Sequence, residues 1–239
     1  MTSPLHLLQR PPDPATPTVA TDLEGTITEG AVERGLRDHL AHIGRGDEAR
    51  QFYRSHLPGY FFTKLFRRNF QQFKNDWLRG LLLLYRGLPL AEFQEACAWV
   101  VENSIWPTRR PPVVAELESH LAAGRRVIIV TGMFDPLLTA LLQRIPGAEA
   151  IGTAIIVEDA GTTGATFSGR LATDFQIGAA KRENLLPFVP PSGKIYAAYG
   201  DTWPDHYMLE LAERPVAVAP DKKLRAAALQ RGWRILEGV

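Results

Sequence analysis

Apolar positions in this 239-residue chain repeat with two periods, and the change from one to the other divides it. From Ala31 to about Trp106 they recur at helical spacing, with breaks predicted at Gly44 to Gly46, Pro58-Gly59, Gly80 and Gly87 to Pro89. Inside that block Phe62, Phe66, Phe70, Phe73 and Trp77 stand 4, 4, 3 and 4 residues apart, which places them on one helix face. On either side, short β-rich runs alternate with helical patterns: Val19 to Asp22, Val127 to Thr131, Ile155 to Glu158, Ile195 to Gly200 and Val216 to Ala219. Alternation of this kind predicts an α/β fold with a mainly parallel sheet and crossover helices. Pro111-Pro112 opens one helix that closes at Gly124, and Pro136 through Arg144, Asp205 through Glu213 and Asp221 through Arg231 supply three more. Ile151 to Gly169, with Gly161 and Gly164 inside, reads as a β-hairpin.

The predicted organisation is therefore a core of residues 18–30 and 107–239 with a helical insertion at 31–106. Before it, Pro4, Pro11, Pro12, Pro14 and Pro17 deny backbone donors to any regular element, so residues 1–17 read as a flexible leader. With 45% hydrophobic and 22% charged residues the composition is that of an ordinary globular chain. A formal net charge of +1 gives no global reason to expect nucleic acid or an anionic membrane as partner. Cys97 is the only cysteine, which excludes an internal disulfide and a cysteine-built zinc site and agrees with a reducing, cytoplasmic location. The longest apolar run, Leu81 to Tyr85, is far short of the roughly 18 residues that span a bilayer, so no membrane insertion is expected.

In open parallel sheets the loops at the carboxyl ends of strands build the site. Three predicted strands end in polar clusters: Thr21-Asp22-Leu23-Glu24-Gly25-Thr26, Thr131-Gly132-Met133 and Gly200-Asp201-Thr202-Trp203-Pro204-Asp205. Lys181, in the helix after the hairpin, completes the set. An aspartate at a strand end can act as a nucleophile, and a second carboxylate two residues later, on the same side of an extended chain, can move a proton. Asp201 and Asp205 offer hard oxygen ligands for Mg²⁺, while Lys181 and the Thr131 hydroxyl offset charge on a phosphoryl group. Without a cation, carboxylates converging in this way repel one another.

Four segments in order, DLEGT, VIIVTG, GAAKRENL and YGDTWPDHYML, with the tail PVAVAPDKKLRAAALQRGW, resemble the haloacid dehalogenase superfamily of aspartyl-phosphate phosphohydrolases. The resemblance runs from Val19 to about Leu236 and is nearest to the phosphoserine phosphatase-like branch, of subfamily IB type. It implies a Rossmann-like core with an inserted helical cap, cofactor Mg²⁺, and a small phosphorylated metabolite as substrate. By the same resemblance Asp22 attacks phosphorus, and Glu24 protonates the leaving oxygen and then activates water. The metal is then held by Asp22, the Glu24 carbonyl and Asp201, with Asp205 supporting it from the same loop. Thr131, the Gly132 amide and Lys181 bind the phosphoryl oxygens.

Most phosphatases of the superfamily carry aspartate where this chain has Glu24, and the extra methylene can move the donating oxygen by more than about 1 Å. Phosphoserine:homoserine phosphotransferases share the glutamate, so transfer to a small hydroxyl acceptor stands beside hydrolysis, as does a catalytically silent protein that binds phosphate ligands. Neither Glu29 nor Glu33 aligns with the substrate-reading glutamate of phosphoserine phosphatases. The aromatic stripe reads as the core of the insertion; among the basic residues interleaved with it, Lys64, Arg67, Arg68 and Lys74, one or two are candidates for reaching an anionic substrate, Arg67 and Arg68 first. His39, His42, His206 and Lys194 read as surface residues, and Cys97 as a small core residue.

Overall fold

The computed structural model describes residues 7–65 and 70–238, with side chains for all of these except 58–65, 70 and 71. Chain order begins with β1 (Thr18–Thr21), followed by α1 (Val32–His42), α2 (Gly46–Leu65), α3 (Phe70–Leu83) and α4 (Leu90–Val100), which passes into a π-helical turn at Val101–Ile105. Next come α5 (Pro111–Ala122), β2 (Arg126–Phe134), α6 (Asp135–Leu142), β3 (Glu149–Thr153), β4 (Ile155–Glu158), β5 (Thr166–Leu171) and α7 (Ala179–Leu185). The remainder is β6 (Ile195–Gly200), a 3₁₀ turn at Trp203–Asp205, α8 (His206–Leu209), β7 (Ala212–Val218), α9 (Lys222–Arg231) and β8 (Arg234–Leu236).

Six strands form one sheet in the order β3-β2-β1-β6-β7-β8, with every pairing parallel. The nine residues of β2, RVIIVTGMF, are buried throughout, as expected of a parallel strand covered on both faces. On one face Val127, Ile129 and Tyr199 join Leu117 of α5 and Leu137 and Leu141 of α6. On the other, Ile128, Val130 and Ala198 join Leu185, Met208, Leu209 and Leu224 from α7, α8 and α9. Among the described residues no helix is long and apolar enough to cross a membrane.

The α/β architecture agrees with the sequence, but several details differ. β3 and β8 add strands at the two edges, and the Ile155–Glu158 strand leaves the sheet to pair antiparallel with β5. The helix expected from Asp205 through Glu213 is limited to the 3₁₀ turn and α8, because β7 begins at Ala212. Pro58-Gly59 does not break α2, which packs against α1 and α3; that packing outweighs the backbone donor lost at a proline. Gly80 does not break α3 either. A Cβ there would stand 2.7 Å from a Phe52 ring atom, so this glycine lets α2 and α3 approach rather than ending a helix. Of the aromatic stripe, Phe62, Phe66 and Phe70, with Arg67 and Arg68, lie outside the described side chains.

Two attachments were not foreseen. Phe93 of α4 stacks on Phe167 of β5 (3.9 Å between centroids) and on Phe134 of β2 (5.8 Å), so the last helix of the 31–106 segment shares the buried cluster of the sheet. The β4–β5 hairpin also clamps the turn between α3 and α4: the Gly87 amide donates to Phe167, and the Phe167 and Leu90 amides donate to Leu88 and Ala165. Residues 7–17 are likewise held, unlike the free leader expected. The guanidinium of Arg126, 1% exposed, donates to the carbonyls of Arg10 and Pro11 and pairs with buried Glu149 at 2.5 Å, while the Gln9 amide donates to the same carboxylate.

Candidate active site

The strand order reverses between β1 and β6, and side chains meet at the carboxyl ends of those two strands. Beyond β1, the Asp22 amide donates to the Tyr199 carbonyl at 3.0 Å, extending the β1–β6 ladder by one residue and fixing the carboxylate over the sheet edge. The chain then turns tightly: the Ile27 and Thr28 amides donate to Leu23, and the Gly25 amide donates to Thr28. Leu23 and Ile27, wholly buried, anchor this loop from below. Gly25 has φ +87°, and a Cβ there would fall 2.0 Å from Oδ2 of Asp201. The loop therefore needs a residue with no side chain.

Lys181, 3% exposed in the first turn of α7, is the hub of the charges. Its Nζ donates to Oδ1 of Asp22 at 2.5 Å and to Oδ1 of Asp205 at 2.7 Å. The other Asp205 oxygen accepts from the Thr202 amide and hydroxyl, both at 3.1 Å, and from the Asp201 amide at 3.3 Å. Asp205 thus has both oxygens engaged and holds the β6 loop against the lysine. The Asp201 carboxylate accepts from the Thr26 hydroxyl, at 3.3 Å, and has no ion pair among the described residues. Ligand atoms of Asp22, Asp201 and Asp205 all lie within 4.8 Å of one another.

Electrostatics follow from this crowding. Burial, reinforced by Asp22 and Asp205, raises the Asp201 carboxyl to about 8, and burial raises Asp22 against the pull of Lys181. Burial also works against the Lys181 ammonium, but Asp205 and Asp22 outweigh it and keep the lysine above its ordinary range. Two of the carboxylates share one lysine, so ionising Asp201 beside them adds a negative charge that no described cation offsets. An all-oxygen donor set with that surplus fits a hard divalent cation. Glu24 stands apart from the set: its Oε1 accepts from the Val32 amide at 2.7 Å, at the first residue of α1. Burial and then Glu33 raise its carboxyl to about 8.

A cavity of about 300 Å³ gathers every site residue expected from the sequence: Asp22, Glu24, Thr131, Gly132, Lys181, Asp201 and Asp205. Thr131 and Gly132 reach it from within β2, which continues past them to Phe134. Lys74, one of the basic residues interleaved with the aromatic stripe, makes its upper wall with Asn75 and Leu78 of α3, which sequence reasoning missed, as it missed Phe175 and Ile177, which with Met133 make the apolar side. Lys74 and Leu78 stand four apart on α3, which was the available signal. Glu29 and Glu33 also line the cavity, but Glu29 is paired with Arg110 at 2.9 Å. His39 is a correction, being 8% exposed and bonded through Nδ1 to the Tyr85 hydroxyl. Lys194 is exposed and donates to the Glu210 carbonyl, away from the cavity. Cys97 is buried, which pushes its thiol pKa up.

Fold and site together define a doubly wound α/β protein with a carboxylate–lysine centre at its switch point. The model of the haloacid dehalogenase-like hydrolase family matches residues 19–210, and the chain belongs to that family. It is similar to the phosphoserine phosphatase SerB1 of Mycobacterium tuberculosis, 27% identical over 239 residues that take in 95% of this chain and 72% of that protein. It is also similar to the histidinol-phosphatase of Neisseria meningitidis, 26% identical with 91% and 93% covered. A crystal structure of a protein of unknown function from Bordetella pertussis Tohama I has the same fold, with a TM-score of 0.74 at 21% identity over 93% of this chain and 99% of that one.

Proposed function

We propose that this protein is a Mg²⁺-dependent phosphatase that hydrolyses a phosphomonoester through a covalent aspartyl-phosphate. The observation that carries this reading is Lys181 bridging Asp22 and Asp205 beside an Asp201 with no ion pair among the described residues, all in one cavity. Lys181 orients the free Asp22 oxygen toward the cavity and balances charge on the incoming phosphoryl group. Asp22 attacks phosphorus as the bond to the alcohol oxygen breaks. The Thr131 hydroxyl and Gly132 amide receive the phosphoryl oxygens. Glu24, protonated at neutral pH by its burial, gives its proton to the departing alcohol and then takes one from the water that attacks the aspartyl-phosphate. Asp22, Asp201 and the Glu24 carbonyl would hold Mg²⁺, which supplies charge neutralisation at the phosphoryl oxygens. In this reading Asp205 is a positioning residue. The 31–106 segment covers the site as a cap, with α4 anchored in the sheet's own cluster.

The test is Mg²⁺-dependent phosphate release from a panel of small esters by wild type and Asp22→Asn, with product analysis in the presence of acceptor alcohols. Release is expected in wild type and a loss of at least about 10³-fold in the variant. Capture of the phosphoryl group by an alcohol would make the protein a phosphotransferase. Ligand binding without turnover would make it a silent binding protein.

A further inference from the structure

A second cavity, of about 400 Å³, borders the one over Asp22, and Ala31, Glu33 and Lys74 line both. The walls of the second cavity are Tyr53 of α2 and Phe73 and Trp77 of α3. Tyr53 and Trp77 meet edge-on at 4.9 Å and 85°, and Phe73 lies 5.5 Å from Trp77. Phe52 packs on Trp77 at 5.7 Å without lining the cavity, so this indole both packs into the helices and borders open space. The three wall rings are half-buried. Arg34 and Arg37 stand at the rim, and Arg34 makes no ion pair among the described residues. Ligand sites of this size are commonly aromatic-walled with a few polar groups at fixed points.

We propose that the alcohol released by this enzyme carries a planar ring, seated among Tyr53, Phe73 and Trp77 while its phosphate lies on Asp22; this rests on the phosphatase reading above. A short polar alcohol ends at the level of Glu33 and Lys74, which line both cavities, and does not reach the three rings. A ring on a linker long enough to pass between Glu33 and Lys74 reaches the second cavity and gains edge-to-face contacts with its rings that a chain of equal apolar area does not. Glu33 accepts a hydrogen bond from a donor on the linker, and Lys74 holds an anionic oxygen at the same level. The substrate class is therefore phosphate monoesters of ring-bearing alcohols, longer than phosphoserine.

The experiment compares phenylalkyl phosphates of stepwise longer linker with alkyl phosphates of equal carbon number. At one linker length the ring ester is expected to exceed its alkyl counterpart about ten-fold in kcat/KM. Trp77→Ala should bring that ratio to about one, through KM rather than kcat. Phe73→Leu, a milder change of the same wall, should lower it part of the way. Equal rates for ring and alkyl esters in wild type, or a ratio unchanged in both variants, would overturn the proposal while leaving phosphatase chemistry standing. If no ester is turned over, calorimetry with phenylalkyl and alkyl phosphonates still decides the ring: tighter binding of the former, lost in Trp77→Ala, supports it, and equal binding overturns it.

Discussion

At φ +87°, Gly25 turns the chain between Asp22 and Thr28 and sets its own backbone against the Asp201 carboxylate. Gly25→Ala adds a methyl where only 2.0 Å is free and strains the backbone by about 1–3 kcal/mol. Calorimetry should show Mg²⁺ binding at least about ten-fold weaker, and thermal melting a lower midpoint. The raised carboxyls give a second expectation. A carboxyl whose folded pKa lies above its unfolded value binds protons more tightly when folded. Metal-free protein should thus be most stable at or below about pH 4 as far as these groups go, and lose stability as pH rises to and through about 8, where Glu24 and Asp201 ionise. Each such group contributes a slope of about 1.4 kcal/mol per pH unit over its window. Mg²⁺ should stabilise more at pH 8 than at pH 5.5, and melting curves with and without the cation check this. Asp22, Thr131 and Asp201 were legible because each closes or ends a predicted strand. Leu78 was not, since periodicity marks a helix face without saying which cavity that face overlooks.

Glu24 joins the loop after β1 to the first turn of α1, so the proposed acid also serves as the helix's N-terminal acceptor. The two duties separate by substitution. Glu24→Gln retains an acceptor for the Val32 amide and loses the proton, so stability should hold while turnover falls about 10²–10⁴-fold. Glu24→Ala should lose about 1 kcal/mol as well, seen by urea denaturation. At this scale the sequence located the helices but misread what some residues in them do. Gly80 and Pro58 look like breaks when only local preference is weighed, yet α3 needs the glycine for contact with Phe52 and α2 runs through the proline. The reverse held at Gly44, whose φ of +80° follows α1 as expected. The hairpin was legible from its glycines, but its grip on the α3–α4 turn depends on pairing between segments some 80 residues apart, which no local pattern encodes.

Across the whole molecule, the parallel sheet and its insertion could be read from alternating periods, whereas the edge strands could not. β3 and β8 are short, and β3 begins with Glu149, a charge that makes sense only once Arg126 lies beside it. This ion pair ties residues 9–11 to the sheet, and Nε of Arg126 has no partner among the described residues. Glu149→Gln should cost about 3–5 kcal/mol, because it leaves a buried guanidinium uncompensated. Arg126→Met combined with Glu149→Leu should cost less than either change alone, and a double-mutant cycle in urea checks this. The central position of β1 has a consequence in time. Asp22 and Lys181 are 159 residues apart, so at about 5–20 residues per second a ribosome needs roughly 8–30 s to supply the lysine after the aspartate has been made. In the last part of that interval β1 has β2 to pair with but lacks β6, and the nascent chain carries the proposed nucleophile without the lysine that holds it. The carboxylate–lysine centre therefore cannot assemble until α7 has been made, however early β1 leaves the ribosome.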